Sequence, residues 1–257
     1  EKSFQAIQAG AVAALPKPPS PYHAEYETRV AKFLRTIKSM SQVKVIRRMA
    51  NDNEQVKENS CKREYTAPSP RNDIKLIAIG ASTGGPAVLP KVLSGLSVNF
   101  PIPILIVQHI APGFVQGMLN WLNHSNKLQG VIPGPNTSIF KGGIFLAPEE
   151  THMGVGIDGI IQLKKSPPEY GVRPAVAHLF RSVAESYGPR ALGIILSGMG
   201  KDGSFELKSI REKGGITIAQ DKESSLINGM PGEAIKLGAA SHIMAPEQIA
   251  EFLGALG

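Results

Sequence analysis

The sequence predicts an α/β fold: a doubly wound, mostly parallel sheet with flanking helices and a β-hairpin insertion. Three observations predict it. The runs ILIVQH (104–109) and LGIILSG (192–198) are continuously apolar up to their polar ends, as suits strands buried on both faces. Strand-sized and helix-sized segments alternate from Ile74 to Gly257. In IAIGASTGGPAVL (77–89), a glycine-rich turn joins an apolar strand to a segment that Pro86 opens as a helix.

The elements follow in order. Strands are expected at 75–80, 102–108, 143–147, 160–164, 191–197 and 215–219, and helices at 87–96, 112–122, 174–187 and 204–213. The region 143–164 reads as the β-hairpin insertion. Before this domain, Ala9–Leu15 is a short strand-like run ending in Pro16-Lys17-Pro18. Tyr26, Val30, Phe33, Leu34 and Ile37 then recur at helical spacing with basic residues between them, one amphipathic helix within 22–49. From residue 50 to 73 the polar composition offers too little apolar surface to fold alone and reads as a linker. The expected divisions are therefore 1–49, 50–73 and a main domain at 74–257.

Composition narrows the function. The net charge is +7, but residues 1–73 carry 13 Lys+Arg against 8 Asp+Glu, whereas residues 74–257 carry 15 against 13. The surplus lies outside the main domain and no aromatic-interleaved basic patch accompanies it, which argues against a nucleic-acid partner. With no apolar run of 18 residues, membrane insertion is not expected. The opening residues lack the basic start and long apolar stretch of a signal peptide. One cysteine, Cys61, excludes a disulfide framework and reads as a linker thiol. No histidine pair has metal-ligand spacing with a third ligand, so neither metal nor other cofactor is expected.

The glycine turn admits two chemistries. A dinucleotide fingerprint needs G-x-G-x-x-G, but Ser82 stands where the middle glycine must let backbone approach a pyrophosphate. The acidic residue expected at the tip of the second strand is also absent, since that strand ends in Gln108-His109. Read from Gly80 to Gly84, the turn instead spells G-x-S-x-G, a strand-to-helix elbow that raises a serine hydroxyl over the carboxyl ends of the strands. His109 ends the second strand and Asp202 follows LGIILSG, so three strand ends can bring together a nucleophile, a base and an orienting acid. Alone, His109 would be a structural hydrogen-bonder and Asp202 a turn former or helix N-cap. His23, His124, His178 and His242 read as surface or structural residues, and His152 as a residue of the site rim.

These segments resemble the chemotaxis methylesterase (CheB) family through IGASTGG, VQHIAPGF, GGIFLAPEETHM, RPAVAHLFRSVAE, ILSGMGKDG and NGMPGEA, in the family's order and over nearly all of residues 74–257. The resemblance implies a cytoplasmic hydrolase, with methylated chemoreceptor cytoplasmic domains as partners, that cleaves γ-glutamyl methyl esters and often deamidates receptor glutamines. It implies Ser82 as nucleophile, His109 as general base, Asp202 as orienting acid, and the backbone amides of Thr83 and Met199 as oxyanion donors. Two positions depart from the family pattern: Gly232 where a basic residue follows GMP, and Ala177-His178 where an acidic and an apolar residue are usual.

AIQAGAVAALPKP further resembles the end of a response-regulator receiver domain, with Lys17 as its lysine and Tyr22–Lys38 as its closing helix. This implies regulation by the histidine kinase of the chemotaxis pathway, whose target aspartate would lie upstream of residue 1. A non-catalytic docking module of the same fold is the alternative, and covalent labelling of Ser82 separates the two.

Overall fold

The computed structural model describes residues 73–257, together with 17–24, 26–41 and positions 6, 9, 11, 14 and 15. Residues 50–72 of the expected linker, Cys61 among them, and three of the seven residues of the strand-like run from Ala9 to Leu15 lie outside the described residues. The chain divides into two compact units, Pro18–Pro70 and Glu1–Lys17 together with Arg71–Gly257. In the first, helix α1 spans Tyr26–Met40, with Glu27 in its first turn and Lys38 in its last, charges that complement the helix dipole.

In the second unit the chain runs β1 (Leu76–Ala81), α2 (Gly85–Leu93), β2 (Ile104–Gln108), α3 (Val115–Ser125), β3 (Gly130–Val131) and β4 (Ile144–Leu146). There follow β5 (His152–Val155), β6 (Ile161–Lys164), α4 (Val176–Tyr187), β7 (Ala191–Ile195), α5 (Ser204–Glu212) and β8 (Ile216–Gln220). Then come α6 (Met230–Lys236), β9 (His242–Met244) and α7 (Pro246–Gly254). Seven strands form one sheet in the order β3-β4-β2-β1-β7-β8-β9, every pair parallel. Crossovers run one way from β1 and the other way from β7, so the topological switch point lies between these two central strands. In open α/β sheets the ligand crevice lies outside the carboxyl ends of the strands at such a point.

The hairpin is shorter than the sequence suggests. Ile144-Phe145-Leu146 is buried on both faces and pairs in parallel with β2 and β3, so it belongs to the main sheet. Only β5 and β6 form the antiparallel hairpin. The continuous apolar character of β4 against the partly exposed β6 is the physical reason for the division.

The core explains why these segments fold together. Leu76 and Ala78 of β1, Leu105 and Val107 of β2 and Ile195 of β7 cluster with Val176, Leu179, Phe180 and Val183 of α4. Leu207 and Ile210 of α5 and Met230 of α6 join the same cluster. The intervening residues Ile77, Ile79, Ile104 and Ile106 are also fully buried and point to the opposite face, because strand side chains alternate. Burying each such side chain contributes about 1.5–3 kcal/mol. That two-sided burial holds the carboxyl ends of β1, β2 and β7 in fixed register.

Candidate active site

Ser82 is the first residue beyond β1 and His109 the first beyond β2. The register pairs Ala81 with Gln108, and the His109 N–H donates to the Ala81 carbonyl at 2.9 Å, so the two residues leave adjacent strands side by side. The Ser82 N–H donates across the switch point to the Ser197 carbonyl at 3.1 Å, tying the elbow to the end of β7. Gly84 follows at φ 91°, a left-handed conformation that turns the chain into α2.

The glycine-rich turn after β7 delivers Asp202, which is 3% exposed. Its Oδ2 lies 2.8 Å from His109 Nε2. The same carboxylate accepts the N–H of Val176 at Oδ2, 2.7 Å, and of Ala177 at Oδ1, 2.9 Å. Both oxygens therefore act as acceptors, which makes His109 Nε2 the donor and leaves Nδ1 with the lone pair. Helix α4 lacks a local cap, its N-cap position being Ala175, and Asp202 serves that end from a distant loop. Val176 is held where it can reach Asp202 because it sits between two glycines. A Cβ on Gly80 would lie 2.2 Å, and one on Gly203 2.3 Å, from Val176 Cγ1.

Gly203 also has φ 78°. Gly203→Ala is expected to cost about 2–4 kcal/mol, a left-handed backbone penalty plus overpacking against Val176. It should also lower kcat, because Asp202 moves with its donors. Urea unfolding and ester turnover measure the two effects, and an unchanged unfolding midpoint would refute this account of the loop.

The predicted oxyanion donors flank Ser82. The Thr83 N–H has no backbone acceptor among the described residues. Its peptide plane also contains the Ser82 carbonyl, which accepts from Gly85 N–H at 2.9 Å and from Gln108 Nε2 at 2.8 Å. On the other side, the Gly198 carbonyl accepts from Gly229 N–H at 3.1 Å and Met230 N–H at 2.9 Å, which fixes the plane of the Met199 amide. A Cβ built on Gly198 would come within 2.8 Å of Ser82 Cβ, so this loop lies directly against Ser82. Sequence reasoning missed Ser197, a fully buried hydroxyl that donates to the Thr83 carbonyl at 2.8 Å and accepts the Ile227 N–H at 3.0 Å. A polar residue closing an apolar strand was the available signal.

His152 is not a rim residue. It is fully buried, accepts the Ala175 N–H on Nδ1 at 3.1 Å and pairs through Nε2 with the Pro167 carbonyl at 3.0 Å. Its stacked neighbour His178, ring centroids 4.9 Å apart, bonds Glu169 through Nδ1 at 3.0 Å. Burial holds the His178 imidazole below its ordinary value despite Glu169. Burial alone would raise the Glu169 carboxyl, but its bonds to Arg181 and His178 keep it low. Burial raises the Glu206 carboxyl, against its own backbone hydrogen bond and Arg181. His152, Glu169 and His178 offer potential ligand atoms within 4.8 Å of one another. Both His152 nitrogens are committed to backbone, however, and stacked rings direct their in-plane lone pairs side by side, so the group serves as a salt-bridge and packing cluster. His242 opens β9.

The geometry can be compared with known proteins. Residues 77–253 match the CheB methylesterase family. A Geobacter metallireducens protein named protein-glutamate methylesterase/protein-glutamine glutaminase 4 is 46% identical over 255 residues, covering 99% of this chain and 73% of that protein. A Syntrophus aciditrophicus protein, named protein-glutamate methylesterase/protein-glutamine glutaminase 1, is 45% identical over 253 residues, 98% of this chain and 72% of its own. The crystal structure of the Thermotoga maritima CheB methylesterase catalytic domain matches with a TM-score of 0.69 at 35% identity, covering 72% of this chain and 99% of that domain. With sequence agreement along nearly its whole length and agreement of fold over 72% of it, the chain belongs to the CheB methylesterase family.

Proposed function

We propose that this chain is a protein-glutamate methylesterase and protein-glutamine glutaminase that acts on chemoreceptors through Ser82, His109 and Asp202. The observation that carries the triad is the 2.8 Å pair between His109 Nε2 and a buried Asp202 carboxylate, beside the serine elbow on the adjacent strand. Asp202 holds the imidazole in the tautomer whose Nδ1 can accept a proton. Ser82 Oγ attacks the γ-ester carbonyl while His109 Nδ1 takes its proton. The negative charge on the former carbonyl oxygen meets the amides of Thr83 and Met199, at the positive end of α2. Collapse expels methanol, with the proton returned by His109, and leaves a glutamyl ester on Ser82. Water then attacks this ester, giving its proton to His109, and the glutamate carboxylate departs as Ser82 is reprotonated. With a glutamine side chain the same steps release ammonia.

Residues 1–49 belong to this reading as the end of a receiver domain and 50–73 as the linker to the catalytic part, with the pathway's histidine kinase as regulatory partner. The receiver motif and the helix Tyr26–Met40 support that assignment. Among the described residues no helix is long and apolar enough to cross a membrane. The test is to incubate the chain with methylated receptor cytoplasmic domains and with unmodified glutamine-bearing ones, measuring methanol and ammonia. Methanol release above the uncatalysed rate is expected. Its absence, together with no labelling of Ser82 by a serine-directed phosphonate, would leave the non-catalytic docking module.

A further inference from the structure

Gln108 closes β2, is 4% exposed, and stands immediately before the base. Its Nε2 has two protons and uses both: it donates to the Ser82 carbonyl at 2.8 Å and to the His109 carbonyl at 2.8 Å. The first bond bears on catalysis through the planarity of the peptide. The Ser82 carbonyl and the Thr83 N–H belong to one amide, pointing in opposite directions, so a donor on the carbonyl sets the direction of that N–H. It also polarises the amide and strengthens the N–H as a donor.

The other end of the carboxamide is costly to the fold. Gln108 Oε1 is buried with no hydrogen-bond partner among the described residues. It occupies the space where Gly85 has no side chain, since a Cβ there would lie 2.0 Å from Oε1. An apolar side chain of the same length would remove the orphaned acceptor, and natural interiors seldom keep one without cause. Gly85, the residue just after the elbow, thus makes room for this group.

We propose that Gln108 is a positioning residue of the oxyanion hole: its carboxamide aims and polarises the Thr83 amide while tying it to the backbone of the general base. The inference rests on the hydrolase reading above. A group that acts through an oxyanion donor works on the transition state and leaves substrate binding alone.

The test is Gln108→Met, which keeps length and burial but removes both donors, with Gln108→Glu as a second variant should the first fail to fold. The expected result is a kcat about tenfold to a hundredfold lower with KM within twofold, the scale of a small misplacement of a reacting group. Affinity for a boronic acid that forms a tetrahedral adduct with Ser82 should fall by the same factor as kcat/KM. A kcat within threefold of wild type in a folded variant, or a loss confined to KM, would overturn the proposal. So would failure of both variants to fold, because Gln108 would then be a folding residue. A wild type that releases no methanol overturns the hydrolase reading as well, whereas an active wild type with an unimpaired variant overturns this inference alone.

Discussion

Ser82→Ala is expected to lower methanol release by about 10⁴- to 10⁶-fold, the loss typical when a triad loses its nucleophile. The fold should survive. Residue 82 contributes to the structure through its backbone, with its N–H on the Ser197 carbonyl and its own carbonyl held by Gly85 and Gln108. Alanine keeps all of these, and also the Cβ against which Gly198 packs. Thermal melting should therefore shift little while turnover collapses, and labelling by a serine-directed phosphonate should vanish. Turnover within tenfold of wild type would remove Ser82 from the mechanism. A loss of activity that tracks a loss of melting temperature would make Ser82 a residue of the fold.

How much of this was legible in the sequence depends on the length scale of each signal. Strands β1, β2, β7 and β8 announce themselves because burial on both faces demands an unbroken apolar run. Gly130–Val131 is two residues long and owes its pairing to β4 alone, so no local pattern can mark it. Helix α6 begins with Met230-Pro231-Gly232, a sequence of low helical propensity that is fixed by buried contacts of Met230 and Ala234 with the core. Tertiary packing overrides propensity there, as it does at β9, where the register with β8 is what makes His242–Met244 a strand. Helix α7, by contrast, opens with Pro246 in the manner expected of a helix start, and that signal could have been read.

The three triad candidates were legible because parallel α/β topology sends all strand ends to one edge. Their supports were not. The partners of Asp202 on α4 lie 26 and 25 positions away, and those of Ser197 lie on two other loops. His152 illustrates the same limit. Glu149 and Glu150 lie just before it in sequence, yet it is buried and bonded to a carbonyl and an amide from the segment that leads into α4. One clue to that arrangement was available in RPAVAHLF, which starts a helix with neither a capping side chain nor an acid in its first turn. The missing cap called for an acid from elsewhere in the chain.

That acid sets the second large prediction. Asp202→Asn is expected to lower turnover by about 10³- to 10⁴-fold and to cost about 1–3 kcal/mol of stability. The carboxylate now offers acceptors on both sides, to Val176 and His109 at Oδ2 and to Ala177 at Oδ1. An asparagine has one oxygen, so its NH2 must face a backbone N–H in either orientation, and a donor against a donor accounts for the stability loss. If the NH2 takes the Oδ2 place, it also donates to His109 Nε2 and forces the proton onto Nδ1, the nitrogen that must receive the serine proton. If the oxygen stays there, the tautomer survives but the negative charge that stabilises the imidazolium is gone. Both orientations impair catalysis, and the two readouts separate the roles of one residue. Urea unfolding reports the cap on α4, and kcat reports the acid. A variant destabilised as expected whose turnover falls less than tenfold would reduce Asp202 to a helix cap, and the base would have to find its orienting partner elsewhere.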